Sequence, residues 1–157
     1  MNKRVSSRAI IIEDEKIYLM YRKVRKVDGD LNKYYSIPGG GVEENETNEE
    51  AVIREVKEEL SLDVEVISYV GYTEGEDFVS HYFLCNKIGG ELKLAGLEHE
   101  RNSENNYYEI KKISLSDIDN LNILSGEMIK KAIMWKIKKN LALKMYLLYY
   151  INTRKEN

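Results

Sequence analysis

The chain has 157 residues, 43% of them hydrophobic and 32% charged, with a formal net charge of -3. That is enough apolar sequence for a real core in one globular domain over 1–157, and the mild acidity gives no basic footprint for stable binding to nucleic acid. The lone Cys85 excludes an intrachain disulfide, and within a strand-like pattern it reads as a small buried hydrophobe rather than a nucleophile.

At the start, Met1 to Val5 leads straight into strand-like sequence with no signal-peptide core. No stretch of about 20 apolar residues follows anywhere, so the expectation is a cytoplasmic protein without a transmembrane segment. Arg4 to Glu13 and Ile17 to Val24 are rich in β-branched residues and flank the turn-like Asp14-Glu15-Lys16, which predicts a hairpin. The second of these strands ends in the basic cluster Arg22, Lys23, Arg25 and Lys26. A solvated strand end is the plain account of it; as binding residues, Arg22 and Arg25 would meet the outer phosphates of a substrate. Tyr34 to Ile37 predicts a short strand entering Pro38 and the run Gly39-Gly40-Gly41, where positive φ and close backbone approach become accessible. Tyr35 in that strand, with Tyr34, Tyr107 and Tyr108, offers a ring for stacking on a base, although with twelve tyrosines most must serve core and surface roles.

Thr47 followed three residues later by Glu50 is a capping-box pattern, so a helix should begin near Asn48, with Ala51, Val52, Val56 and Leu60 as its apolar stripe. On that helix Glu55, Glu58 and Glu59 stand at i, i+3 and i+4, which brings their carboxylates into one patch. Each like-charged pair costs a helix about 0.2–0.5 kcal/mol, so the patch is expected to hold something positive. Hard oxygen ligands favour Mg²⁺, with Mn²⁺ or Ca²⁺ as substitutes, and point to a polyphosphate substrate. Arg54, one turn before Glu58, is placed to orient that carboxylate and offset the repulsion.

Beyond the helix, Asp63 to Tyr72 and Phe78 to Asn86 alternate as strands, and Leu92 to Leu94 and Tyr107 to Ile113 are further strand candidates. Between them Ala95 to Asn106 forms a polar segment, with Glu98, His99, Glu100, Arg101 and Glu104, long enough to be a functional loop. His81 and His99 lack partners at ligand spacing and do not suggest zinc. Ser125 caps a predicted helix that forms a C-terminal extension over 125–152. Its stretch Leu141 to Ile151 carries one charge, Lys144, which is too short to span a bilayer and too apolar to sit comfortably in water. Packing back onto the domain is the first expectation for it, a homodimer contact the second, and an interfacial membrane helix flanked by Lys136, Lys138 and Lys139 the third.

The run from Gly40 to Leu62 resembles the Nudix hydrolases, whose box is Gly, five residues, Glu, seven residues, Arg-Glu, an aliphatic residue, any residue, Glu-Glu, any residue, Gly and an aliphatic residue. Gly40, Glu46, Arg54, Glu55, Val56, Glu58, Glu59 and Leu62 match in register. The departure is Ser61 in place of the helix-ending glycine, which should cost helix-end stability or shift the turn while removing no ligand. Acidic helix faces are commonly mere solvated surface, and Glu43, Glu44, Glu49 and Glu50 are read that way; eight ordered matches in 23 residues argue otherwise for the box.

The pattern of strands and helices gives an α+β chain. The resemblance implies more: an α/β/α sandwich with a mixed β-sheet, plus the long C-terminal helix, and an enzyme that cleaves a pyrophosphate bond in a nucleoside diphosphate linked to another moiety X. It implies Glu55, Glu58 and Glu59 as metal ligands, the Gly40 carbonyl as a further one, and water attacking phosphorus. Glu55 and Glu59 compete with Glu98, Glu100 and Glu104 as general base; the box is favoured, with Glu98 the leading loop candidate and a candidate substrate contact. The alternative is a catalytically silent Nudix-fold domain that binds a nucleotide without turning it over.

Overall fold

The computed structural model describes residues 3–96 and 103–153. The predicted hairpin is present as β1 (Arg4–Glu13) and β2 (Lys16–Arg25), joined through Asp14 and Glu15, which both take positive φ (50° and 58°). Two such residues in sequence turn the chain with the twist that antiparallel strands require. β1 runs parallel to β6 (Phe78–Gly90) from Arg4 opposite Phe78 to Ile11 opposite Cys85, and β6 pairs antiparallel with β5 (Leu62–Glu74).

The other edge of β1 is divided. Ser6, Ser7 and Arg8 pair antiparallel with β4 (Gly39–Gly41), whereas only Ile12 and Glu13 pair with β2. β2 in turn carries β3 (Leu31–Ser36) on one side and β7 (Asn106–Ser114) on the other. The mixed sheet therefore splays open between β1 and β2, and the triglycine strand lies in the gap.

Both faces of this sheet are covered, which is why β1 reads as the unbroken apolar run Ala9-Ile10-Ile11-Ile12 rather than as an alternation. Ala9 and Ile11 pack with Tyr18, Phe83 and Cys85 beneath Val52, Val56 and Leu60 of helix α1 (Asn48–Leu60). Ile10 and Ile12 pack with Leu19, Tyr82 and Leu84 beneath Met128, Ile129 and Ala132 of helix α2 (Gly126–Thr153). The result is the expected α/β/α sandwich. Cys85 is wholly buried, and burial pushes its thiol up to about 12, in keeping with a structural role.

Helix α1 starts and stops where local chemistry dictates. Thr47 and Glu50 form the reciprocal capping box, and Ser61 takes the left-handed C-terminal position at φ 59°, its N–H donating to the Lys57 carbonyl. The serine thus keeps the geometry that a glycine would adopt without strain.

Several expectations are corrected. β3 begins at Leu31, three residues before Tyr34, because its pairing with β2 extends to Arg25. The glycine run is a strand rather than an open loop, held by β1. Leu92 to Leu94 is not a strand: Lys93 and Ala95 donate their N–H groups to the carbonyls of Leu60 and Glu59, so this segment satisfies the last turn of α1 instead of a ladder. A short 3₁₀ turn at Ile118–Asn120 had no periodic signal to reveal it. Ser125 stands at the start of α2 with φ 59°, its hydroxyl accepting from Tyr82. Finally, α2 does not pack back along its whole length. Lys136 still donates to the Ile12 carbonyl, but Ile137, Leu141, Leu143, Met145, Tyr146, Leu147 and Leu148 are all exposed. At 28 residues the helix is about 42 Å long, longer than the roughly 33 Å of a ten-residue strand, and so outruns the sheet.

Candidate active site

The Ala51, Val52, Val56 and Leu60 stripe is buried against the sheet, and Glu55 and Glu59, on the same side of α1, meet the β4 strand. Glu59 is nearly buried and accepts a hydrogen bond of 2.9 Å from the Gly39 N–H. Gly39 itself is at φ 130°, and a side chain there would collide with the Ser7 carbonyl. Glu55 lies so close to Gly40 that a Cβ there would land on its carboxylate and displace it. Glu58 is half-exposed.

Arg54 organises the charges around this patch. Its Nε and Nη2 donate to the two oxygens of Glu46 at 2.8 and 2.9 Å, a bidentate pair. Its Nη1 reaches Glu55 at 3.0 Å and Glu58 at 3.1 Å, and Nη2 also donates to the Gly41 carbonyl at 2.9 Å. The guanidinium thereby ties helix, glycine strand and the preceding turn together. Its hydrogen bonds to Glu46 hold that carboxyl at about 2, well below its ordinary value, and Arg54 itself is pushed up by the same contact.

Among the described residues no three His, Cys, Asp or Glu side chains are already gathered around one point. Arg54 draws Glu55 and Glu58 toward itself, and Gly39 holds Glu59. The donor set is nevertheless of the right kind for a hard divalent cation: Glu55, Glu58 and Glu59 line one cleft beside the glycine backbone, and the largely exposed Glu43, read from sequence as solvated surface, stands at the same cleft.

That cleft has a volume of about 710 Å³ and occupies the opening between β1 and β2. Glu55, Glu58, Glu59 and Arg54 form one wall; Arg4, Arg8, Met20, Arg22 and Tyr108 form the other. Arg22 rests its guanidinium 4.2 Å from the centre of the Tyr108 ring and donates Nη2 to the Tyr108 hydroxyl at 2.6 Å and to Asn106 at 3.2 Å. Its Nε is buried with no hydrogen-bond partner among the described residues, an orphan donor of the kind an anionic ligand would satisfy. Arg8 is committed to the fold, its Nη1 donating to the carbonyls of Ile37 and Gly39.

Of the residues singled out from sequence, the structure brings Glu55, Glu58, Glu59, Arg54, Gly40 and Arg22 to this one cleft. It leaves out two. Arg25 is exposed and bonded to Asn105 and the Gly29 carbonyl, and Tyr35 packs against Tyr21, ring centres 5.2 Å apart, and on the α2-side core. Glu98 and Glu100 lie outside the described residues, and Glu104 is exposed and does not line the cleft. Arg4 and Arg8 were missed; their alternation with Ser6 along β1 was the available signal, a polar face interrupting an apolar strand. Another recess of about 720 Å³ on the other flank of α1, lined by Ile53, Lys57, Asp63 and Ile88, contains none of the three glutamates.

The NUDIX domain model matches residues 3–131. An ADP-ribose pyrophosphatase of Methanocaldococcus jannaschii is 35% identical over 136 residues, covering 81% of this chain and 71% of that protein. Among solved structures, a MutT Nudix hydrolase from Burkholderia pseudomallei superposes with a TM-score of 0.63 at 23% identity, covering 83% of this chain and 98% of that one. An ADP-ribose pyrophosphatase from Streptococcus suis gives 0.58 at 24% identity over 86% and 92%; at such identities these two speak to the fold alone. No helix among the described residues is long and apolar enough to cross a membrane. With the domain model matched over most of its length and its carboxylates set beside the glycine strand, the chain belongs to the Nudix hydrolase family.

Proposed function

We propose that this chain hydrolyses the pyrophosphate linkage of a nucleoside diphosphate derivative, with a divalent cation held by Glu55, Glu58 and Glu59 and by the backbone at Gly40. One observation carries the reading: a single cleft sets these carboxylates opposite Arg22 with its orphan Nε. Nudix hydrolases generally use divalent ions, and the all-oxygen donor set suits Mg²⁺, with Mn²⁺ as a substitute. Such an ion, when bound, neutralises phosphate oxygens and lowers the pKa of the attacking water.

The protein's own groups do the rest. Arg22 donates to a phosphate oxygen on the side away from the glutamates. Glu55, beside the bare backbone of Gly40, accepts the proton of the water that attacks phosphorus, while Glu59 is held in place by the Gly39 N–H. Arg54 positions Glu55 and Glu58 and links them to Glu46. The 35% identical relative named as an ADP-ribose pyrophosphatase favours a nucleoside diphosphate sugar as substrate.

The test is phosphate release from nucleoside triphosphates, dinucleotides and nucleotide-sugars with Mg²⁺ or Mn²⁺, through a coupling phosphatase, with Glu58→Gln as control. Turnover of nucleotide-sugars that falls by roughly 100-fold or more in the control is expected, since a metal-site ligand is worth several kcal/mol. Wild-type turnover in Glu58→Gln would sink the metal-site assignment. Nucleotide binding without turnover of any substrate would leave the binding-domain alternative.

A further inference from the structure

A second cavity of about 440 Å³ lies on the α2 face of the sheet and shares Arg4, Arg8 and Ser36 with the cleft that holds the glutamates. Arg4 and Arg8 line both and also reach the glycine strand, Arg8 donating to the Gly39 carbonyl and Arg4 lying beside Gly41. We infer that this second lobe seats the sugar of a nucleoside diphosphate sugar, so that the substrate lies across the glycine strand with its pyrophosphate in the first lobe; the inference rests on the hydrolase reading above for the place of the pyrophosphate.

The lining supplies the chemistry. Six hydroxyl-bearing residues line the lobe: Ser6, Ser36, Ser80, Thr73, Tyr82 and Ser125. Ser6 and Ser80 bond each other at 2.8 Å, and Tyr82 donates to Ser125 at 2.7 Å. A phenol has one hydrogen, so the 3.1 Å contact between Thr73 and Tyr82 must be donated by Thr73. Three hydrogens are therefore spent inside the wall. The Ser125 hydrogen, one from the serine pair and the unspent lone pairs remain to meet a ligand.

A wall that both donates and accepts suits a polyol, each of whose hydroxyls needs one of each. No carboxylate lines the lobe, and its cations, Arg4 and Arg8, are the two shared with the first lobe, where the diphosphate would bridge. Phe78 and Leu124, both about half exposed, line it as apolar surfaces for the C–H face of a sugar ring. A terminal phosphate would leave the hydroxyl wall and both apolar faces unused. The lobe thus selects a sugar-bearing diphosphate over a nucleoside triphosphate.

Binding separates this claim from the catalytic one. ADP-ribose and ADP are titrated calorimetrically into the Glu58→Gln protein, where turnover is slowed, and then into the same protein carrying Ser125→Ala or Phe78→Ala. Ser125→Ala removes the hydroxyl whose hydrogen is unspent; Phe78→Ala is at a half-exposed site and guards against a misfolded first variant. Each is expected to weaken ADP-ribose by roughly three- to tenfold, the worth of one neutral hydrogen bond or one partly buried apolar contact, and to leave ADP within about twofold. Equal weakening of both ligands would place the shared nucleotide in the lobe and overturn the assignment. So would unchanged affinity for both, or no binding of either by the folded protein. A preserved split in binding, with no hydrolysis of any nucleotide by the protein that retains Glu58, would instead count against the proposed catalysis alone.

Discussion

Helices α1 and α2 are built on opposite plans. α1 has 13 residues, is capped at both ends, and nearly every turn is tied to another element: its apolar stripe to the sheet, Glu59 to Gly39, Arg54 to the glycine strand and Glu46. α2 is 28 residues long, is anchored by Met128, Ile129 and Ala132, and sends its outer half away from the sheet with apolar side chains in contact with solvent. The lesson is that a cluster of charge can be more tightly determined than a run of leucines. Charges of one sign must be neutralised at fixed distances, whereas a helix past the edge of its sheet loses the packing that would fix its apolar face.

The contrast can be broken most severely at Arg54. Arg54→Ala leaves Glu46, Glu55 and Glu58 facing one another at a partly buried site and should destabilise the fold by about 2 kcal/mol in urea unfolding. Added Mg²⁺ should recover part of that loss if the same carboxylates hold the cation. A cost under about 0.5 kcal/mol would mean that Arg54 behaves as an ordinary surface residue.

Acid probes the same network more gently. Hydrogen bonds from Arg54 hold Glu46 at about 2 in the folded chain against an ordinary 4.5. Its folded-state value is the lower one, so its contribution is complete above 4.5 and is lost as the pH falls toward 2. Stability measured between pH 5 and pH 2.5 should therefore fall less steeply in Glu46→Gln than in the parent chain. Parallel curves would remove Glu46 from the network.

Ser61 sharpens the comparison from the other end of α1. A non-glycine residue at φ 59° carries a steric cost of about 1–2 kcal/mol, part of which a glycine gives back in unfolded-chain entropy. Ser61→Gly should therefore raise stability by about 0.5 kcal/mol, a shift of one or two degrees in the thermal midpoint; a lowered midpoint would show that the serine makes a compensating contact.

The smallest effect is expected in α2. Truncation after Asn140 removes Leu141, Leu143, Met145, Tyr146, Leu147 and Leu148, all about half exposed, and should change stability by less than about 0.5 kcal/mol and leave hydrolysis unaltered. Gel filtration of the two forms adds the test of association. A dimer that becomes a monomer on truncation would assign the exposed leucines to the homodimer contact expected from their apolar composition.

Much of the fold was legible because it is written in short-range patterns. The capping box at Thr47 and Glu50, the 3.6-residue apolar stripe and the carboxylates at i, i+3 and i+4 each depend on neighbours within one or two turns. The β1 and β2 hairpin was equally local. Leu92 to Leu94 misled for the same reason: three apolar residues have strand composition, and only the spatial position of the α1 terminus made their backbone a cap for it. Tyr35 and Arg25 misled because a strand end shows which residues are near in sequence and not which side of the sheet they reach.

By itself, the sequence determined the helix that carries Glu55, Glu58 and Glu59, its two ends, and the requirement for glycine beside it, since all of these follow from backbone geometry over a few residues. Tertiary structure alone decided what stands opposite. Arg4 and Arg8 reach the cleft because β1 pairs with β4 instead of β2 along that stretch, and Tyr108 supports Arg22 because β7 pairs with β2 across more than 80 residues of chain. Those pairings are chosen by the burial of two sheet faces at once, a property of the whole chain that no local window contains.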